Sequence, residues 1–265
     1  MSSSSKAGGR NRRHVPATQV VDYAEYCKQV RERLRQEHIA DKMTEAQRRE
    51  RRLEQGRRIA AELPTKRSGD VSIVTWNVAG LRACIKKHFV DIVQSWQDTP
   101  EIIALQEIKT SIADVRDALR TLLEGQNYKL ICNSGRIPGY SGVAILHKLS
   151  FAPIRVALDG ALFDRDGYTS LTGTSDLTPE VCREEFWKMV TQEGRMITAE
   201  FTNFFLITTY VPNSGEKLEL LRFRQCVWEP CMAEYLMNLH QRKPVVLCGD
   251  LNVAATEYDV HSPDK

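Results

Sequence analysis

The chain has 265 residues, of which 42% are hydrophobic and 27% charged, enough apolar content for one sizeable core. It contains no run of eighteen or more apolar residues, and its N-terminus lacks the apolar stretch of a secretory signal, so we expect a soluble intracellular protein with no membrane partner. Seven cysteines, odd in number and irregularly spaced, indicate reduced thiols rather than disulfides or a zinc site.

Charge is distributed unevenly along the chain. Residues 1–69 carry 17 lysines and arginines against 9 acidic residues, a net of +8, whereas the remainder has a net of −5. A basic arm of this kind favours attraction to a polyanion, because each phosphate contact releases condensed counterions. We therefore divide the chain into a basic N-terminal extension, residues 1–69, and a folded domain, residues 70–265.

Within the extension, residues 1–20 are rich in Ser, Gly and Arg and lack apolar periodicity, which predicts disorder, although an organelle transit peptide has a similar composition. Residues 22–63 contain one glycine, no proline and many strong helix formers, which predicts a helix ended by Pro64. This helix is too polar for a core. It is either a solvated helix or a surface for nucleic acid or a partner.

After Asp70 the pattern changes to short β-rich apolar runs alternating with amphipathic stretches, as in a mixed α/β domain. Helices are predicted over residues 82–97, 111–124 and 215–242, the last bent or divided by Pro230. Residues 152–194 are interpreted as a surface insertion with one short helix at Glu184–Met189. The predicted strands are VSIVTW, EIIALQ, YKLICN, GVAILH, MITAEF, FFLITTYV and PVVLCG.

Polar side chains follow four of these apolar runs. They are Asn77, Glu107, the pair Tyr210 and Asn213, and the pair Asp250 and Asn252. Since ligands of α/β sheets bind beyond the carboxyl ends of strands, we expect one shared crevice. The i, i+2 spacing of Asp250 and Asn252 would direct both side chains to one face of an extended chain, with Gly249 leaving room for close approach.

Carboxylate and amide oxygens are the hard ligands that Mg²⁺ or Mn²⁺ prefers, and a divalent ion at this crevice would assist phosphoryl transfer. Each residue alone has a structural explanation, because Asp and Asn at strand ends commonly form turns or cap helices, and a strand tyrosine commonly packs. Their joint occurrence favours a site.

Five motifs closely resemble, in order, those of the exonuclease III-like apurinic/apyrimidinic (AP) DNA endonucleases, within the endonuclease/exonuclease/phosphatase superfamily. The resemblance implies an α/β (α+β) fold of deoxyribonuclease I type, a four-layer, two-sheet β-sandwich flanked by helices, here incomplete at its C-terminus. The motifs are WNVAGLRA (76–83), LQEIK (105–109), GYSGVAIL (139–146), YVPNSG (210–215) and GDLNVAATEYDV (249–260).

The resemblance also implies roles. Glu107 would be the central metal ligand beside Asn77, and Asp250 would orient and deprotonate the attacking water. Asn252 would hold a phosphate oxygen, and Tyr210 would contact the scissile phosphate. The implied metal set is Asn77, Glu107, Asp250 and Asn252, and the implied catalytic set is Tyr210, Asp250 and Asn252.

Three further residues are implied to bind substrate: Lys109 and Asn213 as supporting groups, and Arg82 at the DNA backbone. The chain departs from the family pattern at Ala79, where many relatives carry an Asp, and at Glu216, where some carry a basic residue. It also ends at Lys265, before the late Ser-Asp-His motif of the family. On this basis we expect a marginally stable polypeptide with weak or no activity.

The implied function is a Mg²⁺- or Mn²⁺-dependent phosphodiesterase of base excision repair, which cuts DNA 5′ to an abasic site and also has 3′ exonuclease or phosphodiesterase activity. Its partner would be double-stranded DNA containing abasic sites, bound by a monomer in the nucleus or, alternatively, the mitochondrion. Two other functions stay open. The chain could be another nuclease or phosphatase of the superfamily, or a non-catalytic nucleic-acid-binding protein that acts through its basic helix.

Overall fold

The structure, a computed structural model, describes residues 69–96, 98–159 and 178–254, with Arg67 and scattered positions between 44 and 58. The chain divides into two units, and Glu45–Ala255 contains every strand and helix described below. The other unit, Met1–Thr44 with Thr256–Lys265, lies outside the described residues apart from Thr44. The predicted disorder of residues 1–20 falls there, and the domain boundary near residue 70 stays a prediction.

The predicted extension helix is described only at scattered positions between 46 and 58, and these positions are helical. The charged side chains described there are exposed. Glu54 forms ion pairs with Arg57 at 3.3 Å and Arg58 at 3.6 Å, the i, i+3 and i, i+4 pairs expected on a solvated helix.

The first sheet has four strands in the order β1-β2-β4-β3, with β1 and β2 parallel and the other neighbours antiparallel. Four short helices, α1 to α4, follow β1 and β2. The strands are β1 (Ile73–Asn77), β2 (Ile102–Gln106), β3 (Tyr128–Asn133) and β4 (Val143–Lys148), and the helices are α1 (Leu81–Lys86), α2 (Phe89–Gln94), α3 (Ile112–Ala118) and α4 (Arg120–Gly125).

The second sheet has the order β5-β6-β7-β8, with β7 and β8 parallel. Its helices include a π-helical turn between α6 and α7. The strands are β5 (Arg155–Ala157), β6 (Met196–Glu200), β7 (Phe205–Tyr210) and β8 (Val245–Asp250), and the helical segments are α5 (Pro179–Glu193), α6 (Leu221–Phe223), the π turn (Arg224–Trp228) and α7 (Glu229–His240).

The two sheets stack face to face, and helices cover both outer faces. In β2, Ile102 packs between the sheets, whereas Ile103 and Leu105 pack against the helices, as the two-residue period of a strand requires. On the other side, Phe186 of α5 and Trp228 of the π turn bury the outer face of the second sheet. The predicted four-layer α/β sandwich is confirmed.

All seven predicted strands are present, and the division of the last helix near Pro230 is confirmed. The interpretation of the described parts of residues 152–194 as a surface insertion was wrong, and the helix predicted at Glu184–Met189 is present but longer. This segment contributes β5 and a 15-residue helix, α5, which starts at the Thr178 cap, continues through Pro179 and ends at Gly194 in a left-handed conformation. Its buried face belongs to the core, and residues 160–177 lie outside the described part.

Within the described ranges, none of the helices combines the length and apolar character that crossing a bilayer requires. The six cysteines in these ranges, all except Cys27, are free thiols.

Glu200, at the end of β6, is buried between two cations, with Arg155 at 2.5 Å and Lys243 at 2.6 Å. Burial raises the pKa of this carboxyl, but hydrogen bonds from Lys243 and Arg155 outweigh burial, so its pKa lies below the ordinary value. The stabilisation is therefore complete above the unfolded pKa of about 4.3 and is lost as pH falls through the lower folded value.

We expect Glu200→Gln to lower the free energy of unfolding by roughly 2 kcal/mol at pH 7, since it leaves two cations without their carboxylate. The difference from the wild type should shrink as pH falls below about 4.3, because Glu200 then binds a proton in the unfolded chain before it does so in the folded protein. Urea denaturation at several pH values measures this, with the exposed Glu124→Gln on α4 as the control. A difference that stayed constant down to pH 3 would contradict the assignment.

Candidate active site

The carboxyl ends of two parallel strand pairs meet at one edge of the sandwich. Asn77 ends β1, and Glu107 directly follows β2, its parallel neighbour. In the second sheet, Tyr210 ends β7 opposite Asp250, which ends β8. Because β1 also contacts β8 across the sandwich, polar side chains from both sheets converge.

The Asn77 amide links two carboxylates that are far apart in the chain. Its Nδ2 donates to Glu107 Oε1 at 2.9 Å and to Asp250 Oδ2 at 2.7 Å. Its Oδ1 accepts from the backbone N–H of Ala79 at 2.9 Å, which fixes the plane of the amide. Asn77 therefore orients one carboxylate from each sheet toward the same point.

Glu107 is held in its charged form. Burial raises its pKa, but hydrogen bonds from Asn77, Lys109 and Tyr210, with the positive charge of Lys109, outweigh burial and leave the pKa below the ordinary value. The Lys109 ammonium lies 2.5 Å from Glu107 Oε2. Lys109 thus provides positive charge beside the carboxylate that the family resemblance implies as the central metal ligand.

Tyr210 remains protonated at neutral pH. Burial, and then the negative charge and hydrogen bond of Glu107, raise its pKa well above the ordinary value. The phenol is therefore a hydrogen-bond donor. The buried guanidinium of Arg195 lies 4.9 Å from the centre of the Tyr210 ring and donates to the Tyr210 carbonyl oxygen at 3.0 Å.

Arg195 is a residue that the sequence reasoning missed. It also donates to the Tyr140 hydroxyl at 2.7 Å and pairs with Glu193 at 2.6 Å. The available signal was an arginine directly before the fully buried strand β6, where a charged side chain requires partners.

The turn after β8 positions Asp250 and Asn252 by hydrogen bonds. Asp250 Oδ1 accepts from the Asn252 N–H at 2.9 Å, and Asn252 Nδ2 donates to the Val211 carbonyl at 2.7 Å. The strand ends at Asp250 and Asn252 has a φ of 48°, so the predicted extended i, i+2 geometry was wrong. An Asp side chain that accepts from the backbone N–H two residues later forms an Asx turn, so the chain leaves the extended conformation here.

Four of the eight non-glycine residues with positive φ in the described ranges lie at this edge. Ala79, Glu107, Lys109 and Asn252 have φ values of 46°, 53°, 50° and 48°, in the left-handed region that non-glycine residues seldom adopt. Such conformations cost free energy and persist where surrounding contacts enforce them, commonly at functional sites. The strained residues include two of the predicted metal ligands.

Gly249 allows β8 to lie against β7. Its φ is 128°, and an added Cβ would lie 2.0 Å from the Thr209 carbonyl oxygen. We expect Gly249→Ala to destabilise the fold by about 3 kcal/mol or more, because both the backbone conformation and the contact forbid a side chain. Thermal denaturation tests this against Gly125→Ala, whose Cβ would meet nothing within 4 Å. Equal stability of the two variants would refute it.

Six of the predicted site residues are linked to one another by hydrogen bonds or an ion pair, and the other two form contacts with different residues. Arg82 pairs with Asp114 at 2.8 Å on the exposed surface of α1 and α3. Asn213 is exposed, and its Oδ1 accepts from the Gly215 N–H at 3.0 Å. The six are Asn77, Glu107, Lys109, Tyr210, Asp250 and Asn252.

The donor set fits a hard cation. Within the described ranges no three His, Cys, Asp or Glu residues cluster as a metal site, and the two carboxylates here are joined by an amide. Mg²⁺ is commonly held by one or two carboxylates and retains several waters, whereas a structural zinc site needs four protein ligands. Glu107 and Asp250 would hold such an ion.

Two stacked mixed sheets between helices, with acids and amides at converging strand ends, define an α/β sandwich of deoxyribonuclease I type. Residues 74–265 match the Endonuclease/Exonuclease/phosphatase family, and the chain belongs to that family. The resemblance to the exonuclease III-like AP endonucleases is confirmed by the relatives below.

The chain is 38% identical over 200 residues to DNA repair nuclease APEX1 of Danio rerio, covering 74% of this chain and 54% of that protein. It is 34% identical over 194 residues to the exodeoxyribonuclease of Bacillus subtilis (strain 168), covering 73% of this chain and 63% of that protein. The chain thus spans little more than half of the first relative and less than two thirds of the second.

Solved structures show the same fold. The catalytic domain of Xenopus laevis APE2 superposes with a TM-score of 0.52 at 24% identity, covering 71% of this chain and 60% of that one. The AP endonuclease LMAP from Leishmania major gives a TM-score of 0.50 at 22% identity, covering 72% and 60%.

Proposed function

We propose that this protein is a metal-dependent DNA phosphodiesterase of base excision repair that hydrolyses the backbone 5′ to an abasic site. The observation that carries the proposal is the Asn77 amide, which joins Glu107 to Asp250 at 2.9 and 2.7 Å. Two carboxylates held this way have the chemistry for a hard divalent ion beside a phosphate.

A bound Mg²⁺ or Mn²⁺ would neutralise negative charge on a phosphate oxygen. Asp250, fixed through both carboxylate oxygens, orients the attacking water and accepts its proton. The protonated Tyr210 phenol, which donates to Glu107 in this structure, would donate its single O–H to the scissile phosphate when substrate binds. Asn252 uses one amide hydrogen for the Val211 carbonyl, and its second hydrogen is available to a phosphate oxygen in the transition state.

The substrate is inferred from the relatives together with the charge of the chain. One relative is named as a DNA repair nuclease and another as a DNA-(apurinic or apyrimidinic site) endonuclease, the latter 28% identical over 201 residues. The net charge of +8 over residues 1–69 favours association with DNA phosphates. We further propose that a monomer binds double-stranded abasic DNA in the nucleus, with the mitochondrion as the alternative, and that 3′ exonuclease activity accompanies incision.

Three substrates distinguish this function from those of other superfamily members: an abasic-site duplex, undamaged single-stranded DNA, and a phosphoinositide head group. We expect weak incision of the abasic duplex that depends on Mg²⁺, is abolished by a chelator and is restored by added Mg²⁺. Preferential hydrolysis of the head group or of undamaged single strands would contradict the proposal and would indicate the activity of another branch of the superfamily.

The exposed basic residues of the extension support a second candidate, a non-catalytic nucleic-acid-binding protein. Arg57 and Arg58 lie on its exposed helical positions. Deletion of residues 1–69 separates the two candidates, because a pure binding protein would lose its DNA affinity with the arm. The proposed enzyme would still cut, with weaker and less salt-dependent binding.

A further inference from the structure

The helix after the Tyr210 motif is interrupted by a π-helical turn, Arg224–Trp228, which directly precedes α7 and its second residue, Pro230. Proline has no backbone N–H, so the carbonyl of Cys226, four residues earlier, cannot accept the ordinary helical bond. That carbonyl instead accepts from the Cys182 thiol at 3.7 Å. The wider turn follows from this missing bond, and π turns are frequently found at functional sites.

The π turn begins with a buried arginine. Arg224 is 7% exposed and pairs with Glu229 at 2.9 Å. Its Nη1 donates to the Asn252 carbonyl at 2.7 Å, and its Nη2 donates to the Leu251 carbonyl at 3.1 Å. One guanidinium therefore contacts two successive carbonyls of the turn that carries the predicted catalytic residues.

This turn gains little from apolar packing. Leu251 is 41% exposed and Val253 is 65% exposed, so their side chains do not anchor it in the core. Asn252 also has the strained φ of 48°. A strained, exposed turn keeps one conformation only if hydrogen bonds over-determine it. Arg224 supplies two of these bonds from a rigid helical element.

We propose that Arg224 is a positioning residue, which fixes the Leu251–Asn252 backbone and thereby the orientation of the Asp250 and Asn252 side chains. The expected effect on catalysis rests on the proposed function. The stabilisation of the Leu251–Asn252 backbone by Arg224 does not depend on it. The planar guanidinium suits the task, because its rigid array of donors reaches both carbonyls and Glu229 together. A lysine ammonium cannot reproduce that planar arrangement.

Hydrogen–deuterium exchange of the full chain tests whether Arg224 stabilises the backbone after β8. We expect Arg224→Met to accelerate exchange in residues 247–254 about tenfold or more, since two charge-assisted hydrogen bonds are lost. Exchange in α7 and β7 should stay near the wild-type rate. Arg222→Met is the matched control, because Arg222 is an exposed arginine two residues earlier, and it should leave residues 247–254 unchanged.

Arg224→Lys keeps the charge and gives a folded comparison if the methionine variant loses its cooperative thermal transition. We expect its exchange in residues 247–254 to lie between those of the wild type and Arg224→Met. Wild-type exchange in the lysine variant would overturn the proposal. So would unchanged exchange in a folded Arg224→Met, or acceleration that is equal across α7 and β7.

Kinetics on the abasic duplex then separate this inference from the proposed function. If the wild-type chain cuts, Arg224→Met should lower kcat about tenfold with little change in KM, because only the orientation of reacting groups is disturbed. A KM effect with unchanged kcat would count against positioning. If the wild-type chain does not cut, the proposed function is rejected. If Arg224→Met still accelerates exchange in residues 247–254, the structural role of Arg224 is nevertheless supported.

Discussion

Asp250→Ala should reduce incision of an abasic-site duplex by about a thousandfold or more, toward the rate of a protein-free control, while duplex affinity changes little. The variant removes a carboxylate predicted both to bind the metal and to take the proton of the attacking water. It also removes the acceptor of hydrogen bonds from Asn77 and from the Asn252 backbone. Incision under single-turnover conditions and duplex binding by fluorescence anisotropy measure the two quantities.

Two further variants sharpen this experiment. Asp250→Asn keeps the size of the side chain and an oxygen for the Asn252 N–H, but it loses the charge and the acceptor for Asn77 Nδ2, so it should be nearly as defective. Asp117→Ala removes an exposed carboxylate on α3 and should cut like the wild type. Incision by Asp250→Ala within tenfold of the wild type would eliminate Asp250 as a catalytic group.

Lys109→Met should tighten the binding of Mg²⁺ or Mn²⁺ by about tenfold. Lys109 Nζ contacts Glu107 Oε2 at 2.5 Å, so it competes for one ligand oxygen and repels any cation bound there. Two unit charges 4 Å apart interact by about 4 kcal/mol at an effective dielectric of 20, and the 38% exposure of the Lys109 side chain reduces this. Titration with Mn²⁺, followed by electron paramagnetic resonance, gives the affinity without any substrate.

Glu107→Gln should have the opposite effect on Mn²⁺ affinity in the same titration. Loss of the carboxylate charge should weaken metal binding at least about tenfold. Lys129→Met, an exposed change on β3 at the far edge of the first sheet, should leave the affinity unchanged. Metal-free Lys109→Met should also melt at a lower temperature, because Glu107 loses its closest cation. Weaker metal binding by Lys109→Met would show that Lys109 supports the metal site.

Much of the fold could be predicted because its strands are short, apolar and rich in β-branched residues. β2 reads as a continuous apolar run, since one of its faces meets a sheet and the other meets helices. β5 was missed because it has only three residues, two of them exposed. α5 was predicted too short because its start depends on the Thr178 cap and Pro179, which lie next to a region rich in turn residues.

The candidate site, too, could be predicted from the sequence only in part. Asn77, Glu107, Tyr210 and Asp250 could be predicted to meet because each lies at or directly after the carboxyl end of a strand. The conformation of Asn252 could not, because strand alternation gives no indication of an Asx turn.

The sequence by itself determined seven of the eight described strands, the family motifs and the residue types that suit a hard cation, since these depend on local apolar periodicity and on the chemistry of side chains near one another in the chain. Only the tertiary structure decided that Asn77 joins carboxylates from two sheets, with Asp250 lying 173 positions away. It also decided that Arg195 packs on Tyr210 and that Arg224 holds the Leu251–Asn252 carbonyls. The reason is physical: a buried guanidinium takes whichever acceptors the packing of distant segments brings within hydrogen-bond distance, and no local pattern encodes that choice.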